Sequence, residues 1–171
     1  MSPSGRSVGV TVGRQPREDL WPVYDSVFGD VADEATWRTR TWEPHRSRAG
    51  FRLAVATVAD RPVGFSYGYT GERGQWWPDA LADLLDERVA TQWLGGHFEL
   101  VELAVLGEYR GSGVGRRLLR SLCDGLPHER WLLQTSADPD DPARRLYADE
   151  GWDVIGPGVG SDAVLMGRRR G

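Results

Sequence analysis

Residues 98–117 read FELVELAVLGEYRGSGVGRR: an apolar run, a Gly-rich turn and the start of a helical pattern. The run 98–106 carries only Glu99 and Glu102 as charges, as a strand covered on both faces does. From Val114 onward, Val114, Leu118, Leu119, Leu122 and Leu126 fall on one helical face, Arg116, Arg117 and Arg120 point elsewhere, and Pro127 ends the pattern. Between strand and helix, glycines let successive backbone N–H groups converge on one point, and the helix N-terminus adds partial positive charge to them. Arginines in such a first turn oppose the helix dipole unless an anion lies beside them, so the turn reads as a site for a polyanion.

Two common phosphate loops are excluded. The G-x-x-x-x-G-K-[ST] loop needs a lysine, and the chain has none. A dinucleotide fingerprint begun at Gly111 or Gly113 meets Arg116 or Leu118 where its third glycine belongs.

Outward from this segment the order is mixed α and β. Alternation at 7–13 predicts a first strand, interrupted at Pro16. Asp19 and Asp33 each precede residues with helical spacing and read as capping side chains, Pro22 suiting a first turn. The segments 51–59 and 62–70, on either side of Asp60-Arg61, predict a tight antiparallel hairpin. Residues 71–97 read as a helical insertion with Leu81, Leu84, Leu85 and Val89 on one face. A strand at 131–135, a helix at 142–150 ended by Gly151, and strands at 152–155 and 163–167 complete the pattern. Arg168, Arg169 and Arg170 read as a solvated tail.

The 171 residues suit a single domain spanning 1–171. No apolar run reaches the length of a membrane span, and 1–6 lead into the first strand rather than into a signal-like apolar stretch, so a cytoplasmic protein is expected. One cysteine and three scattered histidines, His45, His97 and His128, argue against a metal site and receive no role. Net charge is −4, and every one of the 21 basic residues is arginine; with asparagine also missing, A-poor codon usage explains this better than nucleic-acid binding.

Arg110, Gly113 and Gly115 form R-x-x-G-x-G, and with the preceding VLGEYRG and the later PARRLYADEGW the chain resembles the GNAT superfamily of acyl-CoA-dependent N-acyltransferases. The resemblance is strong over 98–152, weak before 49 and slight in 71–96. It implies a mixed, twisted α/β (α+β) sheet of about seven strands, flanked by about four or five helices, whose fourth and fifth strands part. It also implies acetyl-CoA as co-substrate, with no metal. By the same resemblance, backbone groups of Leu103, Ala104 and Val105 meet the pantetheine arm. The turn Arg110, Gly111, Ser112, Gly113, Val114, Gly115 and Arg116 holds the pyrophosphate, with Arg117 an alternative to Arg116. Members commonly have an asparagine after the fifth strand; here Asp138, or Asp140, stands in its place.

Acyl transfer needs a neutral amine, a stabilised oxyanion and a proton for the departing thiolate. Tyr147 stands where the family commonly places a tyrosine near the coenzyme sulfur, and a phenol can protonate a thiolate. Glu102 and Glu99 are the candidate bases; three positions apart, they face opposite sides of a regular strand unless a bulge intervenes, and Glu102 is preferred. The fifth strand offers Gln134, not an acid. Trp76, Trp77 and Trp93, with Trp37 and Trp42, either line an acceptor pocket or pack the helices onto the sheet. The expected activity is acetyl transfer to a primary amine of a small molecule or peptide, by direct attack in a ternary complex. An acyl-CoA-binding module without turnover is the rival, a longer acyl chain or a hydroxyl acceptor is a variant of the first reading, and a homodimer stays open.

Overall fold

Alternating and β-branched segments form strands, and the structure, a computed structural model, describes residues 7–171. Strands β1 (Gly9–Gly13), β2 (Arg52–Val58), β3 (Arg61–Gly71), β4 (His97–Val105), β5 (Arg130–Ser136), β6 (Asp153–Pro157) and β7 (Ala163–Arg169) form one sheet in the order β1-β2-β3-β4-β5-β7-β6. The expected mixed seven-stranded α/β architecture is present: β4 and β5 pair in parallel, and β1–β2, β2–β3, β5–β7 and β6–β7 pair antiparallel. The helices are α1 (Trp21–Val27), α2 (Glu34–Trp37), α3 (Glu43–Arg46), α4 (Trp76–Leu84), α5 (Glu87–Trp93), α6 (Val114–Cys123) and α7 (Pro142–Asp149); a π-helical turn, Arg38–Trp42, joins α2 to α3. The absence of a signal-like segment in 1–6 is an expectation that lies outside the described residues. Among the described residues no helix is long and apolar enough to cross a membrane.

The chain divides into two compact units, the first comprising residues up to 69 with 102–126, the second 70–101 with 127–171. In the first unit β2 and β3 meet through Ala59 and Asp60, both at positive φ (48° and 64°), the backbone that two-residue hairpins favour. The turn lies one residue earlier than Asp60-Arg61. Asp33 caps α2 by accepting from the Thr36 N–H at 2.8 Å. Asp19 does not cap α1: the N-cap is Leu20, and the Asp19 carboxylate is held by Arg17 instead. Trp37 and Trp42 are buried, stacked 5.4 Å apart, with Trp42 edge-on to Tyr67, and both fill the core. Helix α6 ends at Cys123, where Gly125 at φ 72° turns the chain before Pro127 is reached.

In the second unit Leu81, Leu85, Leu94, Leu132 and Leu165 form a core on which Trp77 and Trp93 pack. The insertion is two helices rather than one, because Leu85 is extended and Asp86 caps α5 at Arg88 N–H. The single-face expectation therefore fails at Leu84, which is 49% exposed. The solvated-tail reading of Arg168–Arg170 is also overturned. Arg168 lies over the Trp131 ring at 5.2 Å, Arg169 over Trp93 at 4.6 Å, and Arg170 donates to the Pro127 carbonyl. Guanidinium faces stack on indole where a tail would have stayed in water.

Candidate active site

Gly111 and Gly113 stand at φ 72° and 84°, conformations that residues with a Cβ rarely adopt, and no atom lies within 4 Å of where a Cβ would project at either. Gly113 is the N-cap of α6, no side-chain hydrogen bond caps that end among the described residues, and the first turn holds no acidic residue. Arg110 reaches back to donate its Nε–H to the Val105 carbonyl at 3.1 Å, and Ser112 donates its hydroxyl to the Tyr109 carbonyl. Arg117, the alternative to Arg116, donates to the Val8 carbonyl at 2.9 Å. Val114 is buried and anchors the helix, while Gly115 and Arg116 are half-buried. Next to this turn, Leu103–Val105 continue β4, with Ala104 buried against Gly64, whose missing side chain admits the Ala104 carbonyl.

Glu102, earlier on β4, accepts through its backbone carbonyl from Ser66 Oγ at 2.8 Å, and its side chain makes no hydrogen bond among the described residues. Its carboxyl is pushed up to about 8, chiefly by burial and then by the charge of Asp30. Asp30 accepts from the hydroxyl of buried Tyr24 at 2.9 Å. Burial, that hydrogen bond and the Glu102 charge raise the Tyr24 phenol far above its ordinary value. Tyr24 and Asp30 were not singled out in the sequence: Tyr24 belongs to a segment with an ordinary helical reading, Asp30 lies between two such segments, and only the fold brings them near Glu102.

The second unit holds the other candidates. Tyr147 is buried on α7, its ring 6.2 Å from Trp152. Asp141 fixes that helix by accepting from Ala143 and Arg144 N–H groups. Asp141→Ala is expected to destabilise the protein by about 1 kcal/mol, lowering Tm by roughly 2–4 °C in a thermal melt; an unchanged melt would remove the cap from the account of how Tyr147 is held. Asp138 spends its carboxylate on the Asp140 N–H at 2.9 Å, and Asp140 is paired with Arg145 at 2.6 Å. Both carboxylates serve the turn before α7.

Gln134 is fully engaged: its carbonyl accepts from Trp77 Nε1 at 3.1 Å and Val159 N–H at 2.8 Å, and its amide donates to the Val159 carbonyl. It ties α4 and the loop before β7 to β5. Trp93 lies against Gly167 and Ile155, where a Cβ on Gly167 would fall 2.7 Å from its ring. Packing thus accounts for Trp77 and Trp93, and Trp76 stays 74% exposed.

Glu99 is buried beside His97, with His97 Nε2 and Glu99 Oε2 3.8 Å apart and neither otherwise bonded; His97 Nδ1 accepts from Gly95 N–H at 3.1 Å. Glu99 and Leu132 mark the end of the β4–β5 ladder, which pairs only there and at Phe98–Trp131 although both strands run on. A cavity of about 320 Å³ in this unit is lined by Gly96, Pro127, His128, Glu129 and Arg130, none a sequence-predicted site residue. Among the described residues no cluster of His, Cys, Asp or Glu could hold a metal ion.

The family model described as Acetyltransferase (GNAT) family matches residues 15–152. The GCN5-like protein acetyltransferase Rv2170 of Mycobacterium tuberculosis is 34% identical over 111 residues, which are 60% of this chain and 54% of that protein; the chain thus spans about half the length of this relative. Two solved structures share the fold. One is a putative acetyltransferase of the GNAT family from Desulfovibrio desulfuricans, with TM-score 0.65, 18% identity and coverage of 95% of this chain and 99% of that one. The other is a GNAT family acetyltransferase from Elizabethkingia anophelis with acetyl-CoA bound, with TM-score 0.62, 10% identity and coverage of 95% and 98%.

Proposed function

Because the chain belongs to the acetyltransferase (GNAT) family, we propose that it transfers an acetyl group from acetyl-CoA to a primary amine of a small molecule or peptide, with both substrates bound at once. The observation that carries this reading is the start of α6: uncapped N–H groups, two left-handed glycines with open space above them, and arginine rather than acid in the turn. Such a terminus fits a pyrophosphate without rearrangement. Arg110 and Arg116 supply further positive charge, and the backbone of Leu103, Ala104 and Val105 offers the polar groups that a pantetheine amide requires.

Glu102 takes the proton that the amine nitrogen must lose as it attacks the thioester carbon. A carboxyl near 8 is basic enough to accept that proton, and the ionised fraction, about a tenth at neutral pH and growing as pH rises, is the form that does so. As the carbon–sulfur bond breaks, the sulfur takes the electron pair and Tyr147 gives it a proton. Asp30, joined by Glu102 once that carboxyl is ionised, suits an acceptor that arrives as a cation.

Titration calorimetry with acetyl-CoA tests the loop. Gly113→Glu places a carboxylate against the pyrophosphate and is expected to weaken binding roughly five- to several-hundredfold, from a like-charge repulsion of about 1–4 kcal/mol. Gly113→Ala, which shares the strained φ but adds no charge, is expected to bind far better than the glutamate variant. Absence of binding to the unaltered protein would sink the acetyl-CoA reading; equal binding by all three would move the site elsewhere.

A further inference from the structure

Helix α4 is apolar on two sides. Trp77, Leu81 and, at its end, Leu85 seal the core of the second unit. On the other side Trp76, Ala80 and Asp83, spaced four and three residues apart, fall in one line with Leu84 at its border. Trp76 is 74% exposed and Leu84 49%, the two most exposed large apolar side chains of the chain's described residues.

The charge around this stripe is one-sided. Asp83, Asp86 and Glu87 are exposed, and Glu72 and Asp79 lie just before; the nearby arginines are Arg73, which is paired with Asp79, and Arg88. Asp83 and Glu87 have no ion-pair partner among the described residues. Elsewhere the chain repeatedly covers indole with guanidinium: Arg38 over Trp37, Arg168 over Trp131 and Arg169 over Trp93. Among the described residues no cation and no ring stacks on Trp76.

We propose that the outer face of α4 is a docking surface for an arginine- or lysine-bearing segment of a partner protein, whose cation stacks on Trp76 while Asp83 and Glu87 take neighbouring positive charges. The apolar neighbour of that cation rests on Leu84. Desolvated indole attracts a cation through its ring quadrupole, and flanking carboxylates select a basic segment over a neutral or acidic one. The surface does not depend on acetyl transfer: it would hold such a segment whether or not that segment is the acceptor.

The test is calorimetric titration of the full chain with a short peptide rich in arginine and leucine, and with the counterpart in which glutamate replaces arginine. The cationic peptide is expected to bind, with affinity falling as salt rises, and the glutamate peptide not to bind. Trp76→Ala is expected to weaken binding about tenfold, with Trp76→Phe intermediate, and Asp83→Asn to flatten the salt dependence. Acetyl-CoA affinity, measured on the same samples, should be unmoved by Trp76→Ala; its loss from the unaltered protein would sink the coenzyme reading without touching this one. Failure of the cationic peptide to bind, or equal binding by Trp76→Ala, would overturn the docking surface. So would sedimentation in which the unaltered chain self-associates and Trp76→Ala does not, since a second copy would then cover the stripe.

Discussion

Glu102→Gln is expected to lower kcat/KM for the amine by about 10²–10³-fold while leaving acetyl-CoA affinity intact, because glutamine keeps the shape but cannot accept a proton. In the unaltered enzyme kcat/KM should climb with pH through about 8, as the Glu102 carboxyl ionises. That limb should vanish in the variant. Stability should move the other way. Folded Glu102 holds its proton up to about 8, whereas the unfolded chain releases it near 4.5, so this group's contribution to stability is lost as pH rises through that window. Glu102→Gln has no such loss, and at pH 8 it is expected to melt no lower than the unaltered protein. A variant that keeps both its rate and the limb would take Glu102 off the proton path, and Glu99→Gln would then face the same assay.

Gly71→Ala is expected to destabilise the second unit by about 1–3 kcal/mol, a fall in Tm of roughly 2–12 °C. A Cβ at position 71 would lie 2.2 Å from His97 Nε2, 2.6 Å from His97 Cε1 and 2.9 Å from Glu99 Oε2. The imidazole is wholly buried and held by the Gly95 N–H, so it has nowhere to retreat. Adding His97→Ala should recover part of the loss, since the clash disappears with the ring. Gly13→Ala, with nothing within 4 Å of the added carbon, is the control and should leave the melt nearly unchanged. Equal melts for Gly71→Ala and Gly13→Ala would show that the ring moves freely.

Most of the fold was legible because its signals are local. Alternation, the hairpin between two β-branched runs, and the glycine turn between β4 and α6 each announce themselves within a dozen residues. The failures came where a local signal had two readings. Asp19 resembles a cap, yet Arg17 two residues away competes for its carboxylate and wins. Leu84 continues the spacing of Leu81 and Leu85, yet Asp86 starts a new helix and breaks the phase. The π turn at Arg38–Trp42 holds Thr39 and Thr41, weak helix formers that also occur in regular helices, and the bond from the Thr39 hydroxyl to the Ala35 carbonyl is visible only in the coordinates.

The candidate site divides along the same line. The turn at 110–116 is contiguous, so spacing exposes it. Asp30 acts on the Glu102 carboxyl, and Glu102 on Tyr24, across more than seventy residues of sequence, and no periodicity reports such a meeting. Gln134 could be seen only as a missing acid; its task of joining α4, β5 and the loop before β7 needs the coordinates of all three.

The arginines laid over Trp37, Trp93 and Trp131 carry one more implication. A lysine could have supplied the charge, but a guanidinium keeps its proton at any pH the protein survives and so presents no lone pair to a thioester. With arginine in all 21 basic positions, the chain has no side-chain amine at all. A chain that performs the proposed acetyl transfer is thereby made of material that its reagent cannot mark on lysine, and its surface charge does not erode as acetyl-CoA accumulates.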